Sequence, residues 1–167
     1  MYHTIDEFAA AWSNESDATQ KCFDHLTDAS LGQAVNKDGR TIARLAWHIT
    51  QTLPDMMKGT GLQVTGPGEH EAPPAHAADI ANAYRTASAS LLEQVRTGWT
   101  DATLAVTDNM YGEQWTRSET LQALIAHQIH HRGQLTVLMR QAGLTVPGVY
   151  GPAREEWARM GMEPPAI

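Results

Sequence analysis

An all-α fold, a four-helix bundle with one long crossover, is what three features of this sequence predict. Four long segments repeat apolar residues at three- and four-residue steps, the period of an amphipathic helix. Two of them start with Thr followed three residues later by Glu (Thr4 and Glu7, Thr116 and Glu119), the spacing of a capping box. Between the second and third segments lies "GTGLQVTGPGEHEAPPAHA", rich in Gly and Pro and longer than antiparallel neighbours need. Such a connection between helices two and three permits them to run parallel.

The first helix opens at Thr4 and turns Ile5, Phe8, Trp12, Thr19, Phe23 and Leu26 inward. "DASLGQAVNKDGR" reads as loop, with Gly32 and Gly39 as breakers. The second helix spans about 41–58, with Ile42, Leu45, Ile49, Leu53 and Met56 as its inner stripe and a kink expected at Pro54. Helix three, about 76–98, uses Ile80, Tyr84, Ala87, Leu91 and Val95. In the following connection "TLAV" is a candidate short strand. Helix four starts at Thr116 to Ser118, carries Leu121, Leu124, Ile125, Gln128, Leu135, Leu138 and Met139, and stops at Gly143. A short C-terminal helix is expected from Pro152. No internal repeat is evident, and residues 1–167 read as a single domain.

A chain of 167 residues can bury roughly 70% of its unfolded surface, so it needs no metal or disulfide to fold. Nineteen acidic residues against twelve basic ones give a formal charge of −7, and the basic residues form no cluster. Direct nucleic-acid binding is disfavoured by that footprint. The single cysteine, Cys22, excludes an internal disulfide and fits a reducing compartment; no secretory signal or membrane span is legible, so a cytoplasmic location is expected. Cys22 reads as a small core residue, since nothing visibly activates it as a nucleophile.

The unusual stretch is "IAHQIHHRGQL", which places His127, His130 and His131 inside helix four. Residues four apart share a face, so His127 and His131 project together and can share one metal ion. His130 is about 100° around the helix from His131 and reads as solvent-facing or as a supporting residue. His48, in "RLAWHITQ" on helix two, is the candidate third ligand. It lies about 100° to one side of its helix's apolar stripe, and His127 is offset similarly on its own. The three would meet at the edge of the core; the alternative is that they are structural. His3, His25, His70 and His76 read as surface or loop residues.

Two metal chemistries are excluded by composition. Gln128 stands where a thermolysin-type H-E-x-x-H motif has its general-base Glu. No Glu is followed three residues later by His, so the Glu-x-x-His pairs of di-iron bundles are missing. A mononuclear three-histidine site with open positions is what remains. Gly133 suggests close approach of another helix or subunit. The neighbouring Arg132 reads as solvated, with pairing to an acid or a substrate anion as the alternative.

The run "HQIHHRGQLTVLMRQAGLTVPGVYGP", with "WHIT" upstream, resembles the signature of the DinB-like family, within the wider DinB/YfiT-like superfamily. The match covers essentially the whole chain. It implies a four-helix bundle holding a divalent metal, zinc or nickel, on three histidines, which by motif position are His48, His127 and His131. Relatives with known chemistry are thiol-dependent transferases and isomerases that use bacillithiol, mycothiol or glutathione. The resemblance therefore implies a low-molecular-weight thiol as cosubstrate, activated at the metal, and, together with Tyr150 and Trp157 in the tail, a homodimer. A non-catalytic bundle that binds a ligand or partner, and a metal-dependent hydrolase, are the competing readings.

Overall fold

The structure, a computed structural model, describes residues 1–166. It contains four long helices, α1 (Ile5–Asp24), α2 (Ile42–Lys58), α3 (Ala77–Gly98) and α4 (Arg117–Gln141). A two-stranded antiparallel hairpin, β1 (Thr107–Met110) and β2 (Glu113–Thr116), sits between α3 and α4. Short 3₁₀ segments occupy Asp28–Ser30, Asp101–Ala105 and Arg154–Met160, the last being the short C-terminal helix expected after Pro152. The fold is all-α in its architecture, with the hairpin as an appendage.

Both expected capping boxes close. The Glu7 amide donates to Thr4 Oγ1 at 3.1 Å while the Thr4 amide donates to the Glu7 carboxylate at 3.2 Å. At α4 the corresponding distances for Glu119 and Thr116 are 3.2 and 2.7 Å. Each box satisfies amides that a helix start leaves unpaired. At the far end of α4, Gly143 takes a φ of 74° and donates to the Arg140 carbonyl, while Leu144 donates to Met139. This is a Schellman motif, and it needs glycine for the left-handed turn.

Long-range hydrogen bonds fix the directions of the helices. Asp101, just beyond α3, accepts from the Ile5 amide at the start of α1, and Gln20 near the end of α1 donates to Ala81 at the start of α3, so these two are antiparallel. Tyr2 meets Ser118 and Glu15 meets Arg132, so α1 and α4 run parallel. Arg117 at the start of α4 donates to Thr60 just past α2, and His48 faces His127, so α2 and α4 are antiparallel. It follows that α2 and α3 are parallel, as the long connection permits. Around the bundle the order is α1, α3, α2, α4, each packed against its neighbours.

Every residue expected on the inner stripes of α2, α3 and α4 is buried, and on α1 only Ile5 is less than fully so. The crossover is tied to α2 by Trp47, whose indole donates to the Glu71 carbonyl at 3.0 Å, and by Gln51, whose amide donates to Gly68, Glu69 and Glu71. Gly66 allows a close approach: a Cβ there would lie 3.0 Å from Pro54 Cγ and 3.3 Å from Ala87 Cβ. α2 continues through Pro54 to Lys58 without a break.

Three expectations change. "TLAV" is not a strand; Thr103–Ala105 belong to a 3₁₀ turn, and the strands form in the next residues, "TDNM" and "EQWT". Their polar composition gives little strand propensity. They pair because Tyr111 and Gly112 take the two positive φ values (55° and 88°) of a tight hairpin turn. No other helix of the bundle approaches Gly133, since nothing else in the chain lies within 4 Å of where its Cβ would be; it is exposed and faces away from the core. Arg132 is not solvated but buried, its guanidinium donating to the Glu15 carboxylate at 2.7 Å, the Glu15 carbonyl at 3.0 Å and Thr19 Oγ1 at 3.1 Å. It continues the inner row Ile125, Gln128, Arg132, Leu135, Met139, so its charge must be neutralised inside the bundle.

The tail adds a second partner to this pair. Tyr150 donates its hydroxyl to Glu15 at 2.6 Å, and its ring lies under the Arg132 guanidinium at 5.3 Å. Replacing Glu15 by Gln strands the buried guanidinium, and denaturant unfolding of E15Q is expected to show a loss of about 3 kcal/mol. The double variant E15Q/R132M should recover most of it. A double variant as unstable as E15Q would show that the lost stability lies elsewhere.

Candidate metal centre

Three histidine rings meet between α2 and α4. His127 Nε2 lies 3.2 Å from His48 Nε2 and 3.1 Å from His131 Nε2. The ring centroids are 4.4 to 5.0 Å apart. His131 is buried and the other two are half-buried, which places the cluster at the edge of the core. The i, i+4 spacing on α4 and the offset of His48 on α2 thus produce the expected meeting. Among the described residues this is the one group of three or more His, Cys, Asp or Glu residues arranged so that it could hold a metal ion.

The donor geometry fits a divalent ion. Two nitrogens bound about 2.0–2.1 Å from a tetrahedral zinc are about 3.3 Å apart, close to the separations here. Hydrogen bonding alone leaves the cluster unsatisfied. His131 Nδ1 is 2.8 Å from Gln134 Oε1 and so carries its proton there, leaving Nε2 as a bare lone pair. His127 Nδ1 is buried without a partner, and its Nε2, if protonated, can donate to only one of the two rings beside it. A cation at the convergence point uses all three lone pairs at once.

Electrostatics keeps these rings neutral. Burial, with Arg40 and the other two histidines adding to it, pushes His48 down to about 4. Burial and then His131, His130 and Arg40 push His127 down to about 4. His131 is lowered chiefly by burial, with its bond to Gln134 acting in the opposite direction. Neutral imidazole is the ligand form.

Two supporting residues emerge that the sequence reading passed over. Gln134 orients His131 and also donates from its amide nitrogen to His130 Nε2 at 3.1 Å. Its signal was available in the i+3 spacing from His131 and the i+4 spacing from His130. His130 is therefore exposed yet linked to the cluster through Gln134. The second residue is Arg40, on the loop before α2, which had no periodic signal. With Val35, Leu45, Val137 and Leu138 it surrounds a cavity of about 410 Å³ that opens onto His131 and Gln134. Cys22 lies buried in the core with its thiol pushed up to about 11 by burial, as expected of a packing residue. His3, His25 and His70 are exposed, and so is His76, which pairs with Asp28.

Comparison with known proteins places this geometry in context. Residues 1–165 match the DinB family. The chain is 46% identical to the "Uncharacterized protein YrdA" of Bacillus subtilis over 167 residues, all of both chains. A crystal structure of a DinB-like protein from Bacillus cereus superposes with a TM-score of 0.87 at 45% identity, covering 90% of this chain and 100% of that one. Another DinB-like protein, YjoA from Bacillus subtilis, shares the fold at a TM-score of 0.66 and 19% identity, over 86% of this chain and 96% of its own.

Two outcomes test the site. Gln134→Ala should weaken divalent-metal affinity about 10- to 100-fold by calorimetry, because the His131 ring loses its orienting acceptor. An unchanged affinity would remove Gln134 from the site. In the metal-free protein the folded state holds fewer protons on His48 and His127 than the unfolded state does. Its stability should therefore fall as pH drops from the ordinary histidine value of 6.5 toward about 4 and level off below. Denaturant midpoints at several pH values check the sign, and replacing both histidines with Gln should flatten the dependence across that window.

Proposed function

The chain belongs to the DinB family, and from that premise together with the convergence of His48, His127 and His131 we propose that it is a divalent-metal-dependent enzyme that transfers a low-molecular-weight thiol to an electrophile. The observation that carries the reading is three neutral imidazole nitrogens meeting beside an open cavity. Zinc or nickel suits an all-imidazole donor set. A divalent ion held there supplies positive charge that favours thiolate over thiol at neutral pH.

The chain's own groups divide the remaining tasks. His48 and the α4 pair reach the site from two helices, so the packing of α2 on α4 presents the donors. Gln134 holds the His131 tautomer that leaves Nε2 free. Leu45, Val137 and Leu138 give the cavity apolar walls that limit water near the histidines. No carboxylate lines this cavity, so among its lining residues none provides an acidic general base. The protein's own thiol takes no part, since Cys22 is sealed in the core.

Protein expressed without a histidine tag should retain or take up about one zinc, nickel or cobalt ion per chain by elemental analysis. His48→Ala and His127→Ala should each lower that content sharply while helicity persists. The cobalt form should change its visible spectrum when a small thiol is added. A chain that takes up no divalent ion overturns the metal reading. Uptake without any thiol response overturns the transferase reading.

A further inference from the structure

We propose that Arg40 binds a carboxylate on the substrate, making this a site for an acidic thiol; the inference rests on the metal and thiol reading above. Arg40 lines the same cavity of about 410 Å³ as His131. That volume lies in the range of small-molecule sites. The remaining polar lining comes from Gln134, whose amide is engaged with His130 and His131, and the other walls are apolar. Among the described residues no carboxylate forms an ion pair with Arg40 and no acceptor takes a hydrogen bond from its side chain. Arg85, Arg117, Arg132 and Arg140 are each paired with an acid, whereas Arg44, Arg96, Arg154 and Arg159 are not, among the described residues; what sets Arg40 apart among the unpaired ones is that it lines this cavity beside His131.

The loop that carries Arg40 is positioned by the chain. Ala34 and Thr41 form an antiparallel bridge, the Ile42 amide donates to Gln33 at 2.9 Å, and Thr41 caps α2 by accepting from the Arg44 amide at 3.2 Å. The Arg40 backbone is thus held just before the helix start, and its exposed side chain is left without a partner in the chain. Its charge is felt at all three histidines, which it helps to keep neutral. A divalent ion, three uncharged imidazoles and an unpaired guanidinium with no lining carboxylate make a strongly cationic pocket in an acidic protein. A ligand with two separated negative groups complements it: a thiolate toward the histidines and a carboxylate on the guanidinium fork. An acid-bearing thiol is favoured over a neutral one by that arrangement.

The test uses the cobalt-substituted full chain and two matched ligand pairs. One pair is 3-mercaptopropionate and 3-mercaptopropionamide. The other is the monohydroxamate of succinate and its terminal carboxamide, which engages a metal without a thiol. In the unaltered protein the acid of each pair should bind about tenfold more tightly than its amide, the scale of one charge-assisted contact. Arg40→Gln should abolish that preference while the protein still takes up cobalt, and Arg40→Lys should retain part of it. Equal binding of acid and amide, or a preference that survives Arg40→Gln, overturns the inference and leaves the thiol reading intact. A carboxylate preference among hydroxamates with no response to either thiol supports Arg40 and overturns the transferase. Failure to take up cobalt overturns both, and metal analysis identifies that case before any ligand is added.

Discussion

The seam between α2 and α4 is the constraint on which the candidate site depends. His48 reaches His127 and His131 only if the two antiparallel helices hold one register. A slip of one helical turn moves a side chain by about 5.4 Å, more than the whole separation of the nitrogens. The register is held from outside the site. At the foot of the bundle, Arg117 bonds to Asp108 on β1 at 2.9 Å, stacks over Trp99 at 4.8 Å and donates to the carbonyl of Thr60, just past α2. The hairpin then rests on the end of α2 at Gly59, where a Cβ would lie 2.7 Å from Met110 Sδ. The small hairpin is therefore a wedge that locks α2 against α4.

The crossover and the buried ion pair complete this division of labour. Running α2 and α3 parallel brings α2 beside α4, with α1 on the opposite corner. The α1–α4 seam carries the Arg132–Glu15 pair, on the row of α4 that points into the bundle. His127 and His131 occupy the adjoining face of the same helix. One helix thus supplies both a neutralised internal charge and a set of uncharged donors, separated by its circumference. Leu45 and Leu138 serve both stability and the ligand cavity, since they belong to the core and wall the cavity, whereas Val35, Arg40, Gln134 and Val137 form its exposed rim.

Much of this was legible in the sequence because period and spacing carry it. The Thr–Glu boxes, the apolar stripes and Gly143 state where helices begin, face and end, since those rules act within a few residues. The His127–His131 pair and the lateral offset of His48 are likewise properties of single helices. Arg132 illustrates what local reading misses: residue type suggested solvent, whereas its place in the row from Gln128 to Leu135 put it inside. The type of Gly133 suggests close approach, yet no helix of its own bundle reaches it, because it points outward. The hairpin is not legible, and "TLAV" looks more like a strand, because the true strands are polar and owe their pairing to a turn and to Arg117, a residue outside them. Arg40 sits in a loop, where no period exists and position is set by the bridge between Ala34 and Thr41.

The burial of Cys22 has a consequence for the environment in which such a site would operate. Exchange with a disulfide requires an exposed thiolate, and this thiol is both inaccessible and held well above neutral pH. A protein that handled reactive sulfur while displaying its own would be a target for mixed disulfides and for oxidation to sulfenic acid. Here the only sulfhydryl is redox-silent, so oxidants that shift the thiol pool leave the folded chain covalently unchanged at that position. The polypeptide is chemically insulated from the compounds it is proposed to bind.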